Sequence, residues 1–408
     1  MLLALWPQEA PAFYEFTSAE NSYELKGTVR AIGGINFNPD NRDFYDRELS
    51  ASGGLVARIL LDVRAGESAA FEFNAYEFIY YSGIGAAGST DFLGVTPGGA
   101  NRSSALSWVS GRSARTHGIF AVDRLNIRLN LDPVDITLGR QAINLSTALY
   151  FTPNDFFAPF SAQSFFRIYK PGVDALRAAA GLGPLSEVSL IGVLGYDPSR
   201  GSSNGWSSEP SLKDTSLLLR LTTTAGNLGW GIITGTVTDK RILGGSLQGE
   251  VLKGVDLRAE GHYAVPEDNS LDAFTELTIG IAHNFPNDFD VKGEFFYHGA
   301  GIGDRDNYGS ALFSAASTLP YLARRYLALG AGYKVNPLLR LDGVAITNLV
   351  DWSTLAAVNA LYSLSDETEF SFSLIIPAGR GTSTGSSKIE SEFGLYPVSG
   401  VLEFRAYF

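Results

Sequence analysis

Along most of this chain apolar and polar residues alternate with a period of two. In Leu125-Asn126-Ile127-Arg128-Leu129-Asn130-Leu131 every odd position is aliphatic and every even one polar or charged. Val255-Asp256-Leu257-Arg258-Ala259-Glu260-Gly261-His262-Tyr263 repeats the pattern, with the ionisable residues on one face. Successive side chains of a strand point to opposite sides of a sheet, so each such segment predicts a strand with one apolar and one polar face. Comparable stretches lie near residues 22–36, 53–64, 69–80, 213–223, 227–239, 242–251, 271–284, 288–300, 323–334, 337–350, 353–363 and 367–378. At the end of the chain Leu402, Phe404, Ala406 and Phe408 share one face, and Glu403, Arg405 and Tyr407 the other. Helical periodicity is nearly absent.

The links between these segments alternate in length. Short ones are Ala65-Gly66-Glu67-Ser68, Leu131-Asp132-Pro133, Thr224-Ala225-Gly226-Asn227, Lys253-Gly254, Pro286-Asn287-Asp288, Asn336-Pro337 and Ser365-Asp366-Glu367. Long ones fall between them, around residues 37–52, 81–116, 144–171, 197–212, 301–320 and 379–387. One rim of short turns and one of long loops is the signature of a transmembrane antiparallel up-and-down β-barrel, with short turns on the periplasmic side and long loops outside. Counting gives about eighteen strands, with about sixteen as the fallback, and both termini periplasmic. Two stretches fit least well. Residues 172–181 are poorly patterned, and Pro397 interrupts the segment from Lys388 onward, predicting a bulge or kink in one long last strand.

Composition agrees with a barrel. The chain has 45 glycines, 12% aromatic and 18% charged residues, with a mean hydropathy of +0.04. No stretch approaches the roughly 20 apolar residues of a membrane helix. A chain in the bilayer without such helices must close its hydrogen-bond ladder on itself. No linker or repeat divides the sequence, so residues 22–408 read as one barrel domain behind an amino-terminal tail, residues 1–21. Within that tail Leu2-Leu3-Ala4-Leu5-Trp6, followed by Ala10-Pro11-Ala12, reads either as the end of a secretory signal or as an ordinary tail. The absence of cysteine excludes disulfides, thiolate metal sites and covalent c-type haem on this chain. A net charge of −12 argues against nucleic acid as a partner.

A barrel of this size is too wide for aliphatic side chains to fill, so its polar face lines a channel. The lumen or constriction candidates are Arg58, Arg124, Arg128, Asp155, Arg220, Arg258, Glu260 and Arg340. Mixed charges either brace the wall as interstrand pairs or oppose one another at a constriction that orients a solute. Tyr196, Tyr263, Phe289, Tyr297, Tyr333 and Tyr362, near strand ends, are candidates for aromatic girdles at the lipid interfaces. The link at 144–171 carries Tyr150, Phe151, Phe156, Phe157, Phe160, Phe165, Phe166 and Tyr169, too many rings for a solvated loop. It predicts a loop folded into the barrel mouth, or else a lid on its neighbours. The glycine- and serine-rich link at 81–116 predicts an exposed, mobile loop.

Three runs carry a resemblance: Leu138-Gly139-Arg140-Gln141, then Tyr150-Phe151-Thr152-Pro153-Asn154-Asp155-Phe156-Phe157-Ala158-Pro159-Phe160, then Lys170-Pro171-Gly172-Val173-Asp174-Ala175-Leu176-Arg177. Together they resemble a segment of porin-like outer-membrane barrels, similar to alginate-export-type porins and to the barrels of porin–cytochrome electron conduits. The resemblance implies a third loop packed around Asp155 and Asp174 with Arg140 nearby, the three as loop anchors. His117, His262, His283 and His298 share no metal-ligand spacing, and His262 beside Glu260 is a faint catalytic pairing. The sequence thus predicts neither an enzyme nor a bound cofactor or metal. It predicts a bacterial outer-membrane channel for passive diffusion of small hydrophilic solutes, embedded in outer-membrane lipid. The alternative is a sheath insulating a separate multihaem cytochrome. An importer with an energy-coupled plug is disfavoured, since no plug-sized stretch precedes the first strand.

Overall fold

The computed structural model describes residues 14–18, 20–40, 45, 47–82, 99–165, 167–197, 207–308, 321–381 and 389–408. Its strands are β1 (Tyr14–Thr17), β2 (Asn21–Phe37), β3 (Leu49–Ala65), β4 (Ala69–Ser82), β5 (Ser107–Arg112), β6 (Thr116–Asn130), β7 (Val134–Gln141), β8 (Val173–Gly181), β9 (Ser186–Tyr196) and β10 (Pro210–Ala225). They continue with β11 (Leu228–Val237), β12 (Lys240–Leu252), β13 (Val255–Pro266), β14 (Phe274–Asn284), β15 (Phe289–His298), β16 (Arg325–Asn336), β17 (Leu339–Asn348), β18 (Thr354–Ser365), β19 (Thr368–Ala378) and β20 (Val398–Tyr407). Each long strand pairs antiparallel with its sequence neighbours, and β20 returns to pair with β2. The ring of β2–β4 and β6–β20 is a closed 18-stranded barrel.

The alternation in sequence sets the two faces. In β14 the residues 274, 276, 278, 280 and 282 are buried and those between them exposed. The buried set includes Glu276 and Thr278, while Leu277, Ile279 and Ile281 are exposed on the outside. Polar groups inside and aliphatic groups outside invert the pattern of a water-soluble sheet and match a wall bathed in hydrocarbon. Short turns close one rim, where Gly226 (φ 62°) and Gly254 (φ 75°) take left-handed backbone that glycine adopts without steric cost. Both ends of the barrel sequence, β2 and β20, also reach this rim.

Two short strands lie outside the ring count. β1, in the stretch read as a tail, pairs with residues 22–25 of β2, below the point where β20 stops. At that junction Gly27 N donates to Phe408 O (2.5 Å) and Phe408 N donates to Gly27 O (2.9 Å). β5 occupies the wall beside residues 117–121 of β6, because β7 pairs only with residues 125–130 before its chain turns inward.

Several expectations are corrected here. The poorly patterned residues 172–181 contain an ordinary wall strand, β8, whose small Ala175, Ala178, Ala179 and Ala180 give weak contrast between faces. Pro397 is no bulge in a long last strand. The chain before it makes a 3₁₀ turn at Phe393–Leu395, and β20 starts just after it, which keeps the ring even. Residues 83–98 of the 81–116 link lie outside the described residues; the rest is exposed over most of its length, as expected, but is ordered as β5 and buries Arg102. Tyr196 is not a girdle residue: it is 6% exposed and its hydroxyl donates to Asp174 inside. The possible signal segment, residues 2–12, lies outside the described residues.

Candidate functional site: a loop across the lumen

Between β7 and β8 the chain leaves the wall and crosses the bore. Its rings and aliphatic side chains find apolar partners on the inner wall. Ile143, Leu145, Phe156 and Phe157 join Val173, Ile191, Val193, Leu218, Ile233 and Phe274 in one buried cluster. Phe151 enters another, stacked on Phe296 of β15 with centroids 4.9 Å apart and edge-on to Tyr321. Burial of a phenylalanine contributes about 1.5–3 kcal/mol, so these contacts decide where the loop lies. Phe166 lies outside the described residues.

Two wall carboxylates fix the outgoing limb. Glu260 of β13 accepts from Ser146 Oγ (2.8 Å), Thr147 N (2.5 Å), Ala148 N (3.1 Å) and Asn154 N (3.2 Å). Glu294 of β15 accepts from Leu149 N (2.7 Å), Tyr150 N (2.9 Å) and Phe151 N (2.6 Å). An extended segment has no strand partner to satisfy its amides, and these carboxylates take that place. Arg258 Nη1 donates to Thr147 O (3.0 Å), and His262 Nδ1 lies 3.2 Å from Asn154 Oδ1. Within the loop, Arg167 gathers its own carbonyls, donating to Ser164 O (3.0 Å), Ala162 O (3.0 Å), Ser161 O (3.2 Å) and Leu149 O.

The returning limb is tied to the opposite wall. Arg58 of β3 lies between the rings of Tyr76 (4.9 Å) and Tyr169 (4.5 Å) and donates to Asp123 Oδ2 (2.9 Å). Arg124 Nη2 donates to Lys170 O (2.5 Å), while Arg102 Nη1 bridges Asp123 Oδ1 (2.8 Å) and Gly172 O (2.7 Å). Asp155 and Lys170 form a buried ion pair across the loop. Burial pushes the Asp155 carboxyl up to about 6, against the pull of Lys170. At the loop base Arg140 holds Asp174 through Nε (2.7 Å) and Nη2 (2.9 Å) and also donates to Val122 O and Ser103 O.

The residues singled out in the sequence therefore fall into separate groups. Arg258 and Glu260 meet the outgoing limb, Arg58 and Arg124 the return, and Arg140 with Asp174 the base; Asp155 belongs to the loop interior. Arg340 stands apart, paired with Asp290 (2.8 Å) and Asp342 (2.7 Å) beside Lys292. Arg128 and Arg220 make no ion pair among the described residues. Missed altogether were Asp123, Arg102 and Arg167. Asp123 had a readable signal, since two adjacent charges, Asp123-Arg124, break the alternation of β6; the register shifts there by a bulge that turns both inward.

Between the loop and β15–β18 with β20 a cavity of about 370 Å³ remains, lined by Leu149, Tyr150 and Arg167 from the loop and by Lys292, Arg340, Asp342, Asn359 and Arg405 from the wall.

No family model matches the sequence, and no curated protein is significantly similar to it. Solved structures do match. OccK9 (OpdG) of Pseudomonas aeruginosa superposes with a TM-score of 0.58 at 11% identity, over 95% of this chain and 98% of that one. OccAB4 of Acinetobacter baumannii gives 0.57 at 9% identity, over 99% and 100%. The fold is that of an outer-membrane porin. At 9 and 11% identity these likenesses show the fold. The resemblances to alginate-export porins and to cytochrome-conduit barrels are not shown by these structures.

Proposed function

We propose that this porin-fold chain is a passive channel for small hydrophilic solutes, and that the loop of residues 142–172 is its constriction. The observation that carries this reading is the double clamp of the outgoing limb, in which buried Glu260 and Glu294 on the wall accept the amides of residues 147–151 and 154. A lid resting on other loops would have no need of carboxylates inside the bore. Solute passes through the space the loop leaves, where Lys292, Arg340, Asp342 and Arg405 offer both charges. Most wall arginines are already braced by carboxylates, Arg30 and Arg405 on Glu403 and Arg58 on Asp123, so size governs passage more than charge. The short-turn rim, with both termini, faces the periplasm, and the long loops face outside.

Two other readings have less support. A loop across the bore leaves little room for a cytochrome, which counts against the sheath. Glu260 and His262, the nearest approach to a catalytic pair, are both engaged with the loop. The test is reconstitution in planar bilayers. Discrete, ohmic conductance steps, with liposome swelling in small sugars or amino acids but not in large oligosaccharides, are expected. A folded barrel that neither conducts nor swells liposomes would overturn the proposal.

A further inference from the structure

The outer wall carries a site the channel does not use. In the β12–β13 ladder Gly245 stands directly opposite Gly261, and Ala259 on the same outward face adds only a methyl group. The apolar wall is therefore indented, by about 500 Å³, between Trp230, Leu243, Leu247, Tyr263 and Leu277. The dent is built in: a Cβ on Gly261 would lie 2.3 Å from the carbonyl oxygen of Glu276, so the approach of β14 requires glycine there. Trp230 (48%), Leu243 (60%) and Tyr263 (50%) remain exposed around it.

Tyr263 and Thr275 also line a second cleft, of about 470 Å³, at the long-loop rim, with Asp272, Tyr297 and Arg324. The exposed Arg324 donates through Nε to Gly301 O (3.1 Å) and meets no carboxylate among the described residues. Exposed Arg325 follows it, opposite Tyr297. An apolar groove running into a polar cleft whose guanidinium meets no carboxylate among the described residues has the polarity of one amphiphile, and tyrosines at the junction mark headgroup depth.

We propose that one phosphorylated lipid of the surrounding leaflet binds this composite site. An acyl chain fills the groove over Gly245 and Gly261, the phosphate meets Arg324, and a headgroup hydroxyl or ammonium donates to Asp272. Native mass spectrometry of the full barrel, titrated with phosphatidylglycerol, tests it. Wild type retains one lipid when the others are stripped. Arg324→Gln, which removes the charge, and Ala259→Phe, which fills the groove, each lower retention about tenfold or more; Leu329→Phe, elsewhere on the outer wall, does not. Diacylglycerol of the same chains and glycerol phosphate each compete poorly. Retention unchanged in both variants, competition by glycerol phosphate alone, or a second copy of the chain found there instead of lipid would each overturn the proposal, provided heat-modifiability confirms that the variants are folded.

Discussion

Replacing Glu294 by alanine removes the acceptor of three consecutive loop amides, Leu149 N, Tyr150 N and Phe151 N, at 2.7, 2.9 and 2.6 Å. A hydrogen bond to a charged group contributes about 1.5–3 kcal/mol. Lumen water can reach part of this segment, so the lower end applies, and the three bonds together come to roughly 4–5 kcal/mol. Glu260 still holds residues 146–148 and 154, and Phe151 still stacks on Phe296, so the loop stays in the bore while its middle loosens. Hydrogen exchange in detergent reads this directly, because a local opening made about 4 kcal/mol easier speeds exchange of those amides on the order of a thousandfold. Glu294→Gln, which keeps one carbonyl acceptor, falls between the alanine variant and wild type. Open-channel noise rises in the same order. Unchanged exchange at residues 149–151 in both variants would refute the clamp.

Leu257→Arg and Arg258→Leu test the two faces of β13. The first costs roughly 2–4 kcal/mol of folding stability near the bilayer middle, the second mainly alters conductance, and equal assembly of both would contradict the register. Arg140→Met leaves Asp174 without its guanidinium and costs about 3–5 kcal/mol, seen as a lower unfolding midpoint in a heat-modifiability gel. Arg140→Lys recovers only part of it, since lysine cannot reproduce the two-pronged contact; midpoints equal to wild type would remove the anchor. Burial pushes the Glu392 carboxyl, in the segment before β20, up to about 7. A carboxyl raised in the folded state contributes stability below its ordinary pKa and loses it as pH rises through about 7, so amides of residues 389–397 should be better protected near about pH 5 than near about pH 8. The opposite order would mean that Glu392 is held ionised.

The wall was legible because lipid outside and water inside impose a strict period of two, and nearly every strand carries it. The inward loop was legible from its rings, which need burial wherever the chain goes. What holds that loop was not. Glu260 and Glu294 sit at ordinary inward positions, and nothing in a strand's own sequence tells that a loop 106 to 145 residues away supplies their donors. Arg102 lay hidden in a link whose glycine and serine content suggested exposure, and Tyr196 satisfied a positional rule for girdles while pointing inward to Asp174. The end of the chain misled for a different reason: Pro397 interrupts the pattern in the same way whether it bends a strand or precedes one.

On the proposed reading, residues 142–172 are the narrowest part of the path. Deletion of residues 155–165 and recording of single channels in planar bilayers tests it most directly, with heat-modifiability confirming assembly. A larger unitary conductance than wild type and faster permeation of larger solutes are expected. An assembled deletion variant with unchanged conductance and unchanged size cut-off would contradict it.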